Sequence, residues 1–131
     1  MATIFTRIVN GDIPCYKVAE SDNFLAFLDI SPLAKGHTLV IPKQETDYIF
    51  DLEDRMLADM MIFAKKVAGA IERVVPCNRV GVAVLGLEVP HAHIHLVPIN
   101  SEADISFSKA RVKMTEDEFS KLAESIRNKM Q

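Results

Sequence analysis

The sequence predicts an α+β fold, an antiparallel sheet packed with one long amphipathic helix and bounded by terminal helices. Three observations predict it. Short runs of strand formers alternate with turn residues before position 45 and again before position 100. Between them, Leu52 to Val75 repeats its apolar residues at helical spacing. After them, Thr115-Glu-Asp-Glu118 has the form of a capping box ahead of a second periodic stretch.

Taken in order, Ile4, Phe5, Ile8 and Val9 recur at helical spacing and Asn10-Gly11 follows as a C-terminal stop, so a short helix opens the chain. Residues 13–20 and 24–29 read as a hairpin, with Ser21-Asp22-Asn23 as its turn. Residues 36–42 read as a further strand, ended or placed near an edge by Pro42. The long helix carries Met56, Leu57, Met60, Met61, Ala64, Val67, Ala68, Ile71, Val74 and Val75 on one stripe and stops at Pro76. That spacing assigns the methionines to core packing. Residues 80–85 form a strand, Gly86 allows a turn, and residues 89–99 form a second strand paired antiparallel with the first. A C-terminal helix then carries Phe119, Leu122, Ala123 and Ile126.

With 131 residues, 49% of them apolar, the chain fits one domain, residues 1–131, with 101–131 as a divergent C-terminal extension that includes a helix. A formal charge of -3 argues against a nucleic-acid partner, which calls for a basic face. Without a secretion signal or a long apolar run, the expectation is a cytoplasmic protein with no membrane partner. Cys15 and Cys77 lack CxxC spacing and read as incidental thiols rather than a disulfide or half a zinc site.

The chemistry concentrates in His91-Ala92-His93-Ile94-His95, which holds three of the four histidines. In a strand, alternate side chains share a face at roughly 6.5 to 7 Å. The three imidazoles then line one surface while Ala92, Ile94 and Leu96 point into the core. Imidazole is a nucleophile near neutral pH, and its N–H groups donate to phosphate oxygens. The same row can hold zinc with a position left open for water. Residue types alone leave catalysis without metal, a metal site and an inert row open.

The motif His91-Ala-His93-Ile-His95-Leu-Val97 resembles the signature of the histidine triad (HIT) family. Ile4-Phe5, Asp12-Ile13-Pro14, Phe27-Leu28-Asp29-Ile30-Ser31-Pro32 and Gly36-His37-Thr38-Leu39-Val40-Ile41-Pro42-Lys43 extend the resemblance in order over about residues 1–100. It implies an α+β fold, a homodimer, and nucleotidyl transfer without metal or cofactor, as in the nucleotide-binding phosphoramidase branch. By match to the motif, His93 attacks the α-phosphorus of a purine nucleotide conjugate and forms a nucleotidyl-histidine that water hydrolyses. His91 orients the nucleophile through the backbone, while His95 and His37 contact phosphate and nucleophile. Asp29 matches the position that accepts the ribose hydroxyls, and Ile4, Phe5, Ile8, Phe27 and Ile30 match positions that sandwich the base.

The sequence also departs from the family. Val84, Leu87 and Glu88 stand where polar groups are common ahead of the triad, and Glu45 stands where a further histidine is common after Ile-Pro-Lys. Glu88 and Val89 fall at the mouth of the nucleotide site. A carboxylate there repels phosphate, which leaves two readings of Glu88: it faces the leaving group and favours cationic amines, or it points into solvent from a shortened turn. Cleavage of dinucleoside polyphosphates, or nucleotide binding without catalysis, are the alternative functions.

Overall fold

A computed structural model of the chain describes residues 2–130. Its order is α1 (Ile4–Val9), β1 (Lys17–Glu20), β2 (Phe24–Leu28), β3 (Thr38–Pro42), a 3-10 turn (Ile49–Asp51), α2 (Asp54–Glu72), β4 (Arg79–Ala83), β5 (Ile94–Ile99), a second 3-10 turn (Glu102–Ile105) and α3 (Glu116–Arg127). The fold is α+β, and the strands form one antiparallel sheet in the order β1-β2-β3-β5-β4.

The expected elements form, with shorter bounds where local chemistry cuts them. Thr3 caps α1 by accepting from the Thr6 N–H, and the chain leaves the helix through Gly11 at φ 84°, a conformation that costs glycine least. The hairpin turn is held by Ser21, whose N–H donates to the Phe24 carbonyl and whose hydroxyl accepts from the Phe24 N–H. The long helix ends at Glu72 rather than running on to Val75: the Arg73 N–H is shared between the Gly69 and Ala70 carbonyls, the Val74 N–H tightens onto Ile71, and residues 73–75 leave as a turn. Met61 also departs from the expected stripe, being 47% exposed beside Ile62. Pro42 ends a central strand rather than marking an edge, since β3 lies between β2 and β5.

Strand alternation divides the sheet into two chemistries. Ala26, Leu28, Val40, Ile94 and Leu96 face a core built with Met60, Ala64, Val67 and Ile71 of α2 and Phe119, Leu122, Ala123 and Ile126 of α3. Leu25, Phe27, Leu39 and Ile41 face the other way and pack against Phe5 of α1. On that second side the register sets His95 opposite Leu39 and Ala83. Cys15 and Cys77 are free thiols. No helix among the described residues is long and apolar enough to cross a membrane.

Candidate active site

The strand expected from Val89 begins only at Ile94. Gly86 takes φ 73°, and Pro90 has no N–H to give a ladder, so the chain runs as a loop up to His93. The loop is pinned by the His91 N–H to the Val89 carbonyl at 2.8 Å and the Ala92 N–H to the Thr46 carbonyl at 2.6 Å. Ala92, Ile94 and Leu96 are buried as expected. The histidines, however, do not line one open surface. His91 is fully buried with both ring nitrogens turned into the protein: Nδ1 lies 2.9 Å from the Thr3 hydroxyl and Nε2 lies 2.7 Å from the Pro42 carbonyl oxygen. A three-histidine metal face is therefore not what this backbone builds.

Hydrogen-bond logic assigns the protons. A carbonyl oxygen only accepts, so His93, whose Nδ1 lies 2.8 Å from the His91 carbonyl, donates from Nδ1 and keeps a lone pair on Nε2. His37 accepts the Leu33 N–H on Nδ1 at 3.0 Å, so its Nε2–H donates to His95 Nδ1 at 3.0 Å. His95 then carries its proton on Nε2. The result is one imidazole with a free Nε2 lone pair beside another with a free Nε2–H, their ring centroids 4.9 Å apart.

Burial favours the neutral form of His37, His91 and His95. It pushes His37 down to about 3, helped by His95, and pushes His95 down to about 4, helped by His93. Burial also lowers His91. Asp29 moves toward its neutral acid form: burial raises it, against the Ser31 N–H bond and the nearby Arg111 charge. Among the described residues, Asp29, His37 and His95 form the group able to hold a metal, their donor atoms lying within 4.8 Å of one another. An ion there would have to break the bond between the two rings.

A cavity of about 630 Å³ opens in front of His93 and His95. Ile4, Phe5, Ile8, Phe27, Asp29, Ile30, Glu88 and Val89 all line it. Ile4 and Ile30 stand at its rim, 50% and 74% exposed, and Glu88 is exposed beside them. His91 and His37 do not reach the cavity wall; they stand behind His93 and His95 as their hydrogen-bond partners. Phe5 closes on His93 edge-on at 5.0 Å.

The HIT domain, as a family, matches residues 10–102. This chain belongs to the HIT family. It is 38% identical over 133 residues to an adenosine 5'-monophosphoramidase of Schizosaccharomyces pombe, with 99% of each chain covered. A HIT-like protein of Bartonella henselae superposes with TM-score 0.84 at 26% identity, over 98% of this chain and 96% of its own. A hypothetical histidine triad nucleotide-binding protein of Sulfolobus tokodaii gives TM-score 0.80 at 29% identity, over 95% and 89%.

Part of the cavity wall comes from beyond the residues matched by the family. Phe107 and Arg111 line the cavity, and no pattern in the sequence marked them. Phe107 packs edge-on to His95 at 4.7 Å and Arg111 sits 5.6 Å from the Phe107 ring. The segment is tied back to the loop after β2: Arg111 donates to the Ser31 carbonyl at 2.8 Å, the Val112 N–H to the Pro32 carbonyl at 2.8 Å, and Lys109 to the Leu33 carbonyl at 2.8 Å. The C-terminal extension thus supplies both a wall of the site and, through α3, a share of the core.

Proposed function

We propose that this chain hydrolyses a purine nucleoside 5'-phosphoramidate, or a similar nucleotidyl conjugate, through a nucleotidyl-His93 intermediate. The observation that carries the reading is the main-chain bond on His93 Nδ1, which leaves Nε2 as a free lone pair facing a cavity that also holds Asp29. Nε2 attacks the α-phosphorus, the P–N bond breaks, and the amine leaves with one proton taken from solvent. Water then attacks the same phosphorus and gives one proton back to solvent, the N–P bond to His93 breaks, and nucleoside monophosphate departs while the lone pair returns to Nε2. His95 offers its Nε2–H to a phosphoryl oxygen, and charge held by a fixed donor in a dry site is where such catalysis gains most. Asp29 accepts from the ribose hydroxyls, and Ile4, Phe5, Ile8, Phe27 and Ile30 hold the base. The phosphoramidase relative supports the substrate class.

The proposed assembly is a homodimer of one-domain chains. Its support is the unpaired edge of β4 together with exposed apolar side chains on the same flank, Met61 and Ile62 of α2 and Val82 of β4. A monomeric mass by light scattering at tens of micromolar would exclude it. For the reaction, adenosine and guanosine phosphoramidates are compared with dinucleoside polyphosphates under the same conditions. Preferred turnover of a phosphoramidate, with a nucleotide trapped on His93 by rapid quenching, upholds the proposal. An adduct on His91 or His95, or turnover confined to the polyphosphates, refutes it.

A further inference from the structure

Thr3 needs only one hydrogen bond to cap α1, and it has that bond from the Thr6 N–H at 3.0 Å. Its hydroxyl proton goes elsewhere, across the fold to His91 Nδ1 at 2.9 Å. The direction follows from the ring: His91 Nε2 must donate to the Pro42 carbonyl, so Nδ1 of the neutral imidazole accepts. Thr6 also comes within 3.4 Å of that nitrogen, but its proton is taken at 2.6 Å by Glu45 Oε1. The same carboxylate oxygen accepts the Thr3 N–H at 2.9 Å. These bonds hold Glu45 below the usual carboxylate range, Thr6 contributing most. Among the described residues, no buried side-chain polar atom is left without a partner.

We propose that Thr3, Thr6 and Glu45 form a polar clasp that positions the nucleophile, by holding the His91 ring and through it the carbonyl that orients His93. The clasp joins three segments distant in the chain: α1, the loop after β3 and the approach to β5. Each proton in it has one direction, from Thr6 to Glu45, from Thr3 to His91 and from His91 to Pro42. A ring held at both nitrogens cannot turn, so its own carbonyl stays aimed at His93 Nδ1. The helix that carries Ile4, Phe5 and Ile8 is fixed by the same bonds, so base wall and nucleophile share one anchor. None of the three is a catalytic residue; they act through His91.

This inference rests on His93 as the nucleophile, and its test has an arm that does not. Long-range proton–nitrogen spectra of the wild-type imidazoles at neutral pH should show His91 neutral, with its proton on Nε2 and its Nδ1 resonance displaced by an accepted hydrogen bond. Thr3→Val should relieve that displacement and lower kcat about tenfold with little change in KM, as should Glu45→Ala in kcat. Thr3→Ser and Glu45→Gln keep the donor and the acceptor and should stay within about twofold of wild type. A cationic His91, or a proton on its Nδ1, overturns the clasp even if no variant folds. So does an unchanged Nδ1 resonance in Thr3→Val, or equal loss in Thr3→Ser and Thr3→Val, which marks a packing role. If the wild type cleaves no phosphoramidate, the proposed function falls while the spectra still judge the clasp.

Discussion

The two faces of the sheet spend their burial differently. Under α2 and α3 the buried core is apolar, from Val18 and Leu28 to Ile94 and Ile126, apart from Thr38, whose hydroxyl donates to the Gly36 carbonyl at 2.9 Å. Under α1 and the segment after the second 3-10 turn, a small apolar group around Phe5, Leu25, Phe27, Leu39 and Ile41 shares its space with buried His37, His91, His93 and His95. A buried polar group is tolerated only when hydrogen-bonded, and here the histidines satisfy that demand largely on one another and on main chain. One face supplies stability, and the other converts it into fixed proton positions.

If that division holds, the two faces should fail in different assays. The largest effect belongs to His93→Ala, which removes the proposed attacking atom and little of the cavity: kcat/KM should fall by at least about 10⁴-fold while equilibrium nucleotide binding survives. Measurable turnover near wild type would remove His93 from the chemistry. On the opposite face, Leu96→Ala should lower unfolding free energy by about 3 kcal/mol, because Leu96 is 1% exposed and its cavity cannot fill. Its kcat at a temperature where it stays folded should remain close to wild type; a large fall would show that the faces are coupled.

Acid sharpens the contrast. His37 and His95 titrate near 3 and 4 when folded but near 6.5 when unfolded, so the unfolded chain binds more protons between these values. Their contribution is complete above pH 6.5 and is lost as pH falls toward 4 and then 3. Asp29, raised by burial, works in the opposite sense and trims the loss. Urea midpoints should fall steadily between pH 6.5 and 4, and by less in His95→Gln. A flat profile would mean that the rings are charged in the folded state.

Smaller effects test the margins of each face. Thr115→Ala removes the hydroxyl that accepts the Glu118 N–H at 3.1 Å and should cost about 1 kcal/mol, with no change in kcat. Glu88→Gln should alter kcat/KM by about threefold for a phosphoramidate with a cationic leaving amine and not for a neutral one. An equal change with both amines would end its role in leaving-group choice.

The fold was legible where the cause is local. Helical spacing in Ile4-Phe5-Ile8, the Thr115–Glu118 box and the alternation of Ala92, Ile94 and Leu96 each depend on near neighbours, and each appears in the structure. The end of α2 was not, because Val74 and Val75 continue the apolar rhythm after the backbone has left the helix. The start of β5 misled in the same way, since apolar alternation runs on through a loop that Gly86 and Pro90 keep out of the ladder. The site divides similarly. Asp29 and the histidines sit in recognisable motifs, whereas Phe107 and Arg111 matter through contacts on chain 70 to 80 positions away, as Lys109 to Leu33 and Arg111 to Ser31 illustrate. Glu45 was visible only as a departure; its partners Thr3 and Thr6 lie 42 and 39 residues upstream.

The acceptor that orients His93 is a main-chain oxygen, which all twenty amino acids possess. A transplant of this site into another scaffold therefore cannot succeed by copying imidazoles alone. It has to carry the path of the chain from Val89 to His93, with the two anchoring amides that bend it, so what must be copied is a curve in space more than a list of letters.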